Sequence, residues 1–207
     1  KPLPKGSGRG VAVQTVFGSF MAQVAEVEVS KDGEVHVKRV TCAVDCGIAI
    51  NPNTIEAQVQ SAIVYGLSAA LFDEITLKNG RVEQSNFDNY RAPHINEMPS
   101  IDVHIVKSND PPGGMGEPGT SALVPAVFNA VYAATGVRLR KPPIAPDLLK
   151  TYRRQDNARA AVVVPLLMTE PIDVVTAVTM SVGTCRKNPK AMALWAALLP
   201  AQWCSAS

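Results

Sequence analysis

The sequence predicts an α+β fold, in which mixed β-sheets pack against helices. Apolar and polar residues alternate over Ser19–Ser30 and again over Val35–Val44, a period of two that is typical of half-buried strands. After Asn51 and after Ser121, apolar residues instead recur every three or four positions, as in amphipathic helices. The 207 residues are 46% hydrophobic and 18% charged, which supplies a core and excludes disorder and fibrous repeats.

The first two strands are predicted to form an antiparallel hairpin with one buried face. Turn-forming residues Lys31–Gly33 separate them, and Phe20, Ala22 and Val24 are the apolar members of the alternation in the first strand.

A long helix is expected to follow this hairpin. Asn51 offers an N-cap side chain and Pro52 suits a first helical turn. The apolar stripe of this helix contains Gly66, which indicates close packing against a neighbouring element.

The middle of the chain is predicted to be rich in strands. Asn79-Gly80 is a strong hairpin signal between Glu74–Leu77 and Arg81–Gln84, and alternating Ile and Val predict a further strand over Ile101–Val106.

A second core helix is predicted over Ser121–Ala134, with Thr120 or Ser121 as N-cap and Gly136 as C-cap. These elements define a domain over residues 1–150. No fold is predicted for residues 151–207, a tail that we expect to be poorly ordered.

Composition excludes several classes of function. The net charge is only +2 and 5% of residues are aromatic, which argues against a surface for nucleic acids or for anionic membranes. No apolar stretch is long and uninterrupted enough for a transmembrane helix. The chain begins at Lys1 without the apolar core of a signal peptide, and we expect this beginning to be cut.

The cysteines do not predict a disulfide scaffold, a zinc site or an iron–sulfur cluster. Cys42 and Cys46, on one face of a strand, would lie roughly 13 Å apart, too far to bridge. The three histidines form no paired zinc-ligand spacing, and the four cysteines of the chain are too scattered for a cluster.

The most informative segment is Pro111–Thr120, here called the glycine loop. It satisfies the dinucleotide pattern G-x-G-x-x-G, but Glu117 would place a carboxylate beside the pyrophosphate and Pro118 removes a donor. No acidic residue follows about twenty positions later to bind a ribose, and the lysine of a phosphate-binding loop is absent. A nucleotide-binding enzyme is therefore the weakest of three candidate functions, and the two stronger ones are given below.

The remaining feature is a carboxylate on a glycine-rich turn just before a helix. The free backbone donors of a helix N-terminus favour anionic groups, so Glu117 could act as a fixed base beside an anion site. The alternative is a solvent-exposed turn whose glutamate has no function.

Three separated stretches give the chain a resemblance to the molybdenum-cofactor-binding subunit of the xanthine dehydrogenase and aldehyde oxidase family. The subunit type that it resembles most is the isoquinoline 1-oxidoreductase beta subunit. The resemblance covers about residues 8 to 145, and its motifs lie in Phe17–Val27, in Cys42–Gly47 with Asn51-Pro52 and the Gln58–Leu67 helix, and in Gly113–Gly119 with Asn129–Gly136.

The resemblance implies roles for six residues. Glu117 matches a family glutamate that acts as the base toward a molybdenum-bound hydroxide during hydroxylation. Gln58 matches a glutamine that contacts the cofactor, and its alternative is an ordinary surface residue. The other four residues are glycines that would place their backbone against the cofactor: Gly47, Gly113, Gly114 and Gly116. At Gly47 the alternative is an ordinary turn. No residue is implied as a ligand of the metal.

The resemblance also implies cofactors and partners. The cofactor would be molybdenum-molybdopterin, in its cytosine dinucleotide form, and electrons would pass to iron–sulfur clusters on a partner subunit. The chain would be the C-terminal portion of a molybdenum hydroxylase large subunit that hydroxylates an N-heterocycle or an aldehyde, in the cytoplasm or periplasm. The upstream glycine-rich loop of such subunits is missing, so the chain alone is expected to be inactive. A non-catalytic assembly module that kept the fold without cofactor is the alternative.

Overall fold

A computed structural model describes residues 3–150, which include nearly all of the predicted domain and none of the predicted tail at 151–207. Three antiparallel strands open the fold, and they are β1 (Ser7–Val16), β2 (Ser19–Val29) and β3 (Val35–Asp45). The predicted hairpin is therefore confirmed. β1 was not predicted, because its glycines and the prolines before it are uncommon in strands.

The first hairpin turn consists of Phe17 and Gly18 alone. Both have positive φ angles, 52° and 77°, as a two-residue turn that matches the twist of its strands requires. The turn between β2 and β3 uses Gly33 at φ 82°. Ser30 also stabilises this second turn, because its Oγ accepts hydrogen bonds from the backbone N–H groups of Asp32 and Glu34.

The buried face of β2 differs from the sequence-based prediction. The side that faces the helices holds Met21, Gln23 and Ala25, all completely buried. On the predicted face Ala22 is also completely buried, whereas Phe20 and Val24 are only partly buried. The prediction assigned the wrong main buried face to β2, because a polar residue such as Gln23 is usually expected to face solvent. In the structure, packed helices cover the side of the sheet that carries Gln23.

Helix α1 (Pro52–Leu71) begins as predicted, with the Asn51 side chain accepting a hydrogen bond from the Thr54 N–H. Farther along the chain, β6 (Ser100–Ile105) pairs in parallel with β3. The resulting mixed sheet has the order β1-β2-β3-β6.

The predicted Asn79-Gly80 hairpin exists but is much shorter than expected. Its strands, β4 (Leu77–Lys78) and β5 (Arg81–Val82), form a separate and exposed two-stranded sheet. Leu77 and Val82 are mostly exposed, so no core stabilises a longer pairing.

Helix α2 (Pro118–Thr135) starts earlier than predicted. Glu117, rather than Thr120 or Ser121, is its N-cap residue, and Pro118 occupies the first turn, where its missing N–H costs nothing. Gly136 ends the helix at φ 76°, as predicted.

The two helices pack against the sheet and against each other through glycines. A Cβ atom added to Gly10 would lie 2.2 Å from both the Ala126 carbonyl oxygen and the Ala130 nitrogen, so α2 lies directly on β1. A Cβ on Gly66 would lie 2.8 Å from the Thr120 oxygen, which confirms the predicted close packing of α1. The structure is thus an α+β domain with a mixed sheet and packed helices, as predicted.

Both Cys42 and Cys46 are buried and free, so they form no bridge. Among residues 3–150, no helix is both long and apolar enough to cross a lipid bilayer.

Candidate functional site

The glycine loop is anchored to two other segments by backbone hydrogen bonds. The Gly113 N–H donates to the Cys46 carbonyl at the end of β3, and the Gly114 N–H donates to the Phe17 carbonyl of the first hairpin turn, both at 2.8 Å. The Ser19 hydroxyl donates to the Gly114 carbonyl at 2.9 Å. These bonds bring three of the sequence motifs to one end of the sheet.

Two of the predicted site glycines are required by this anchoring. A Cβ atom on Gly47 would lie 2.3 Å from the Pro111 carbonyl oxygen, and its φ of 74° already disfavours other residues. A Cβ on Gly113 would lie 2.4 Å from Ser19 Oγ. Protein packing therefore explains glycine at both positions, whether or not a cofactor also approaches there.

The other two glycines differ from each other. A Cβ on Gly114 would lie 2.9 Å from the Cβ of Phe17, whereas a Cβ on Gly116 would meet nothing within 4 Å. Gly116 is exposed, so its backbone borders open space beside Glu117.

Glu117 lies at the point where the glycine loop becomes α2. It is exposed, and as N-cap residue it does not use its side chain to cap the helix. Within residues 3–150, no hydrogen bond or ion pair engages its carboxylate. The carboxylate is thus available to a group outside the chain, at a helix end that attracts anions.

Gln58 lies near the start of α1 and is also exposed, with no hydrogen bond to its amide in the part of the chain that the structure describes. The next residue, Val59, contacts α2, since a Cβ on Gly119 would lie 3.3 Å from the Val59 oxygen and 2.7 Å from the Ala62 Cβ. The beginnings of both helices therefore meet.

The two helices also run in the same general direction. The Gly119 contact near the start of α1 is followed, farther along both helices, by the contact of Gly66 with Leu123. Gln58 and Glu117 consequently lie at the same end of the helix pair, next to the anchored glycine loop. One available amide, one available carboxylate and exposed backbone could hold a polar organic group and accept a proton from it.

The described residues form no cluster of metal-ligating side chains in this region. No group of three or more His, Cys, Asp or Glu residues within 3–150 is arranged to hold a metal ion.

Two glutamines that the sequence did not identify as site residues contact the start of α2. Gln23 Nε2 donates to the Gly119 carbonyl at 2.8 Å, and Gln14 Nε2 donates to the Pro118 carbonyl. No local pattern could have identified them, because both lie on strands about a hundred positions before the helix that they contact.

The dinucleotide pattern lacks its structural context. In such a site the glycines directly follow a strand, but β6 ends at Ile105, well before the glycine loop. The strand beside the loop is the end of β3, to which Gly113 is hydrogen-bonded.

Comparison with known proteins agrees with the resemblance found in the sequence. Residues 4–99 match the family model of the molybdopterin cofactor-binding domain. The chain is 34% identical over 154 residues to a protein named membrane-bound aldehyde dehydrogenase [pyrroloquinoline-quinone] of Gluconacetobacter polyoxogenes, covering 72% of this chain and 20% of that protein. It is 32% identical over 154 residues to isoquinoline 1-oxidoreductase subunit beta of Brevundimonas diminuta, covering 74% and 20%.

The fold is also found in solved structures. A Cu,Mo-CO dehydrogenase in its carbon monoxide reduced state superposes with a TM-score of 0.59 at 25% identity, over 66% of this chain and 18% of that one. The chain spans about a fifth of the length of the curated relatives that it matches. These relatives and structural neighbours include molybdenum oxidoreductases. Over residues 4–99 the chain is therefore similar to a molybdopterin cofactor-binding domain, and the proteins that it resembles include molybdenum-binding subunits of oxidoreductases.

Proposed function

We propose that this chain is the C-terminal portion of a molybdenum hydroxylase large subunit of the isoquinoline 1-oxidoreductase type. In this proposal it forms one wall of the cofactor site and supplies Glu117 as the base in the hydroxylation of an N-heterocycle or an aldehyde. The observation that carries the proposal is the Glu117 carboxylate, exposed and unengaged within residues 3–150, beside a loop fixed to two strands.

The residues at this end of the fold fit a molybdopterin cofactor. Gln58 could donate its amide N–H to an oxygen of the cofactor without adding charge to the site. The space around Gly116 is open, since a Cβ atom there would meet no protein atom within 4 Å. A cofactor could therefore contact the backbone at this position. We further propose the cytosine dinucleotide form of the cofactor and a partner subunit that carries iron–sulfur clusters.

Hydroxylation adds an oxygen atom from water to carbon and releases two electrons and two protons. The bound cofactor would supply the redox chemistry that accepts the electron pair. Glu117 would accept one of the protons on a carboxylate oxygen, and the fixed loop would keep that oxygen in place. Because a positioned base typically contributes a factor of about 10² to 10⁴, most of the turnover should depend on this carboxylate.

The test is Glu117→Gln in the molybdenum-loaded protein that contains this chain. We expect kcat to fall at least about a hundredfold while the molybdenum content stays at the wild-type level. Glu74→Gln is the matched control, since Glu74 is exposed beyond the other end of α1 and should leave turnover unchanged. If Glu117→Gln turned over close to the wild-type rate, the role of Glu117 as the base would be refuted.

Elemental analysis tests the cofactor separately. The name of one relative refers to pyrroloquinoline quinone, whereas the matching family is that of the molybdopterin cofactor-binding domain. Molybdenum near one atom per chain supports the proposal, and a quinone absorption spectrum without molybdenum would contradict it.

A non-catalytic assembly module is the alternative, and exposed apolar residues next to the site favour it. Phe17, Ile48 and Ile50 are 62%, 46% and 78% exposed, on segments that border the glycine loop. Such side chains are suited to contact with another protein surface. A stable complex with a partner that contains no molybdenum would support this alternative.

A further inference from the structure

Two strand glutamines contact the first turn of α2 directly behind Glu117. Gln23 of β2 donates to the Gly119 carbonyl at 2.8 Å, and Gln14 of β1 donates to the Pro118 carbonyl. Gln14 also accepts a hydrogen bond from the Ser121 hydroxyl. The beginning of α2 is therefore bonded to the sheet through side chains as well as through apolar packing.

The placement of Gln23 is unusual for a residue that serves stability alone. Its side chain is completely buried, and its Oε1 atom has no hydrogen-bond partner within residues 3–150. A buried polar atom without a partner is destabilising, and an apolar side chain of similar shape would avoid the penalty. The Gly119 carbonyl does not require Gln23 either, because carbonyls inside a helix accept from the N–H four residues later.

What Gln23 does is fix the position of Gly119. This glycine is two residues from Glu117 and packs against Val59 and Ala62 of α1, the helix that carries Gln58. A shift of Gly119 would therefore move the Glu117 carboxylate relative to the Gln58 amide.

We infer that Gln23, assisted by Gln14, is a positioning residue for Glu117. It holds the first turn of α2 against the sheet so that the carboxylate keeps a single place beside the glycine loop. The inference rests on the proposed function, because a positioning residue matters only if Glu117 acts as the base.

The first experiment uses the 207-residue chain and does not depend on activity. Gln23→Met keeps the length of the side chain but removes the amide donor. We expect the backbone amides at the start of α2 to exchange with deuterium about fivefold faster, as the loss of one hydrogen bond implies. The melting temperature should stay the same or rise, because the unpartnered Oε1 atom is removed as well.

Val27→Ala is the matched control, since Val27 is buried on the same strand and pairs with Gly8, which packs against Ala134 at the far end of α2. It should leave exchange at the start of α2 unchanged. Met21 is unsuitable, because its Sδ accepts a hydrogen bond from Gln23 Nε2 at 3.4 Å. Gln14→Met provides a second variant at a partly buried site and should show the same local acceleration. Unchanged exchange in both glutamine variants, or a general loss of stability in both, would overturn the inference.

The second experiment uses the molybdenum-loaded protein. Gln23→Met should lower kcat about tenfold while KM and molybdenum content remain those of the wild type, because the base is misplaced but binding is retained. A purely structural role would change molybdenum content or stability instead.

Glu117→Gln, measured in parallel, separates the two proposals. If Glu117→Gln is inactive while Gln23→Met has full turnover, the positioning role of Gln23 is refuted but the role of Glu117 as the base is not. If Glu117→Gln itself turns over normally, the proposed function and the positioning role both fail.

Discussion

Replacing Gly10 by alanine tests the contact between β1 and α2. The added Cβ would lie 2.2 Å from the Ala126 oxygen and the Ala130 nitrogen, more than 1 Å closer than the 3.4 Å of an ordinary contact. Both atoms belong to helix backbone, so no side chain can rotate away and the whole helix must retreat. We place the cost at about 3 kcal/mol, the upper end of the range for overpacked cores.

The assay is thermal and urea unfolding of the 207-residue chain, followed by circular dichroism. For a chain of this size each 1 kcal/mol lowers the melting temperature by about 2–4 °C, so Gly10→Ala should melt about 6–12 °C below the wild type. Gly116→Ala is the control, because a Cβ there meets nothing within 4 Å, and its melting temperature should not fall. A melting temperature of Gly10→Ala within about 2 °C of the wild type would refute the close contact of strand and helix.

Two further predictions concern buried groups near the site. Gly47→Ala should destabilise the chain by about 2–3 kcal/mol, because φ is 74° and the Pro111 oxygen would lie 2.3 Å from the new Cβ; an unchanged urea midpoint would contradict this. Burial raises the pKa of the Cys42 thiol from 9.0 to about 12, although donation from the Gln23 amide N–H to the thiolate partly opposes the shift. The folded state thus keeps a proton that the unfolded state loses, so this contribution to stability is complete below about pH 9 and is lost as the pH approaches 12, at up to about 1.4 kcal/mol per pH unit. Urea unfolding at several pH values should show a shallower alkaline decline for Cys42→Ala, and Cys42 should resist alkylation at pH 8 in the native chain.

The parts of the fold that the sequence predicted are those specified by neighbouring residues. The turn around Gly33 and the cap at Asn51 are local signals, and the structure has the hairpin and α1 where these signals place them. The start of α2 was misplaced although Pro118 is itself a signal for a first helical turn, because the glycine loop was interpreted as extending to Thr120.

The parts that could not be predicted depend on residues distant in sequence. β1 is defined by its pairing with β2 and by its contact with α2, and its own glycines argue against a strand. The parallel pairing of β6 with β3 depends on the path of α1 between them. For the same reason the sequence identified Glu117 and Gln58 as candidates but gave no indication that Gln23 is buried behind them.

During protein synthesis, β1 is made well before α2, the helix that packs against it. The Asn129 side chain donates to the Val11 carbonyl across 118 positions, so the strand emerges from the ribosome long before its partner helix. At 5–20 residues per second, that interval is about 6–24 s. During it the glycine-bearing face of the strand has no helix to cover it, and binding of a chaperone to the nascent chain would be most useful in this period.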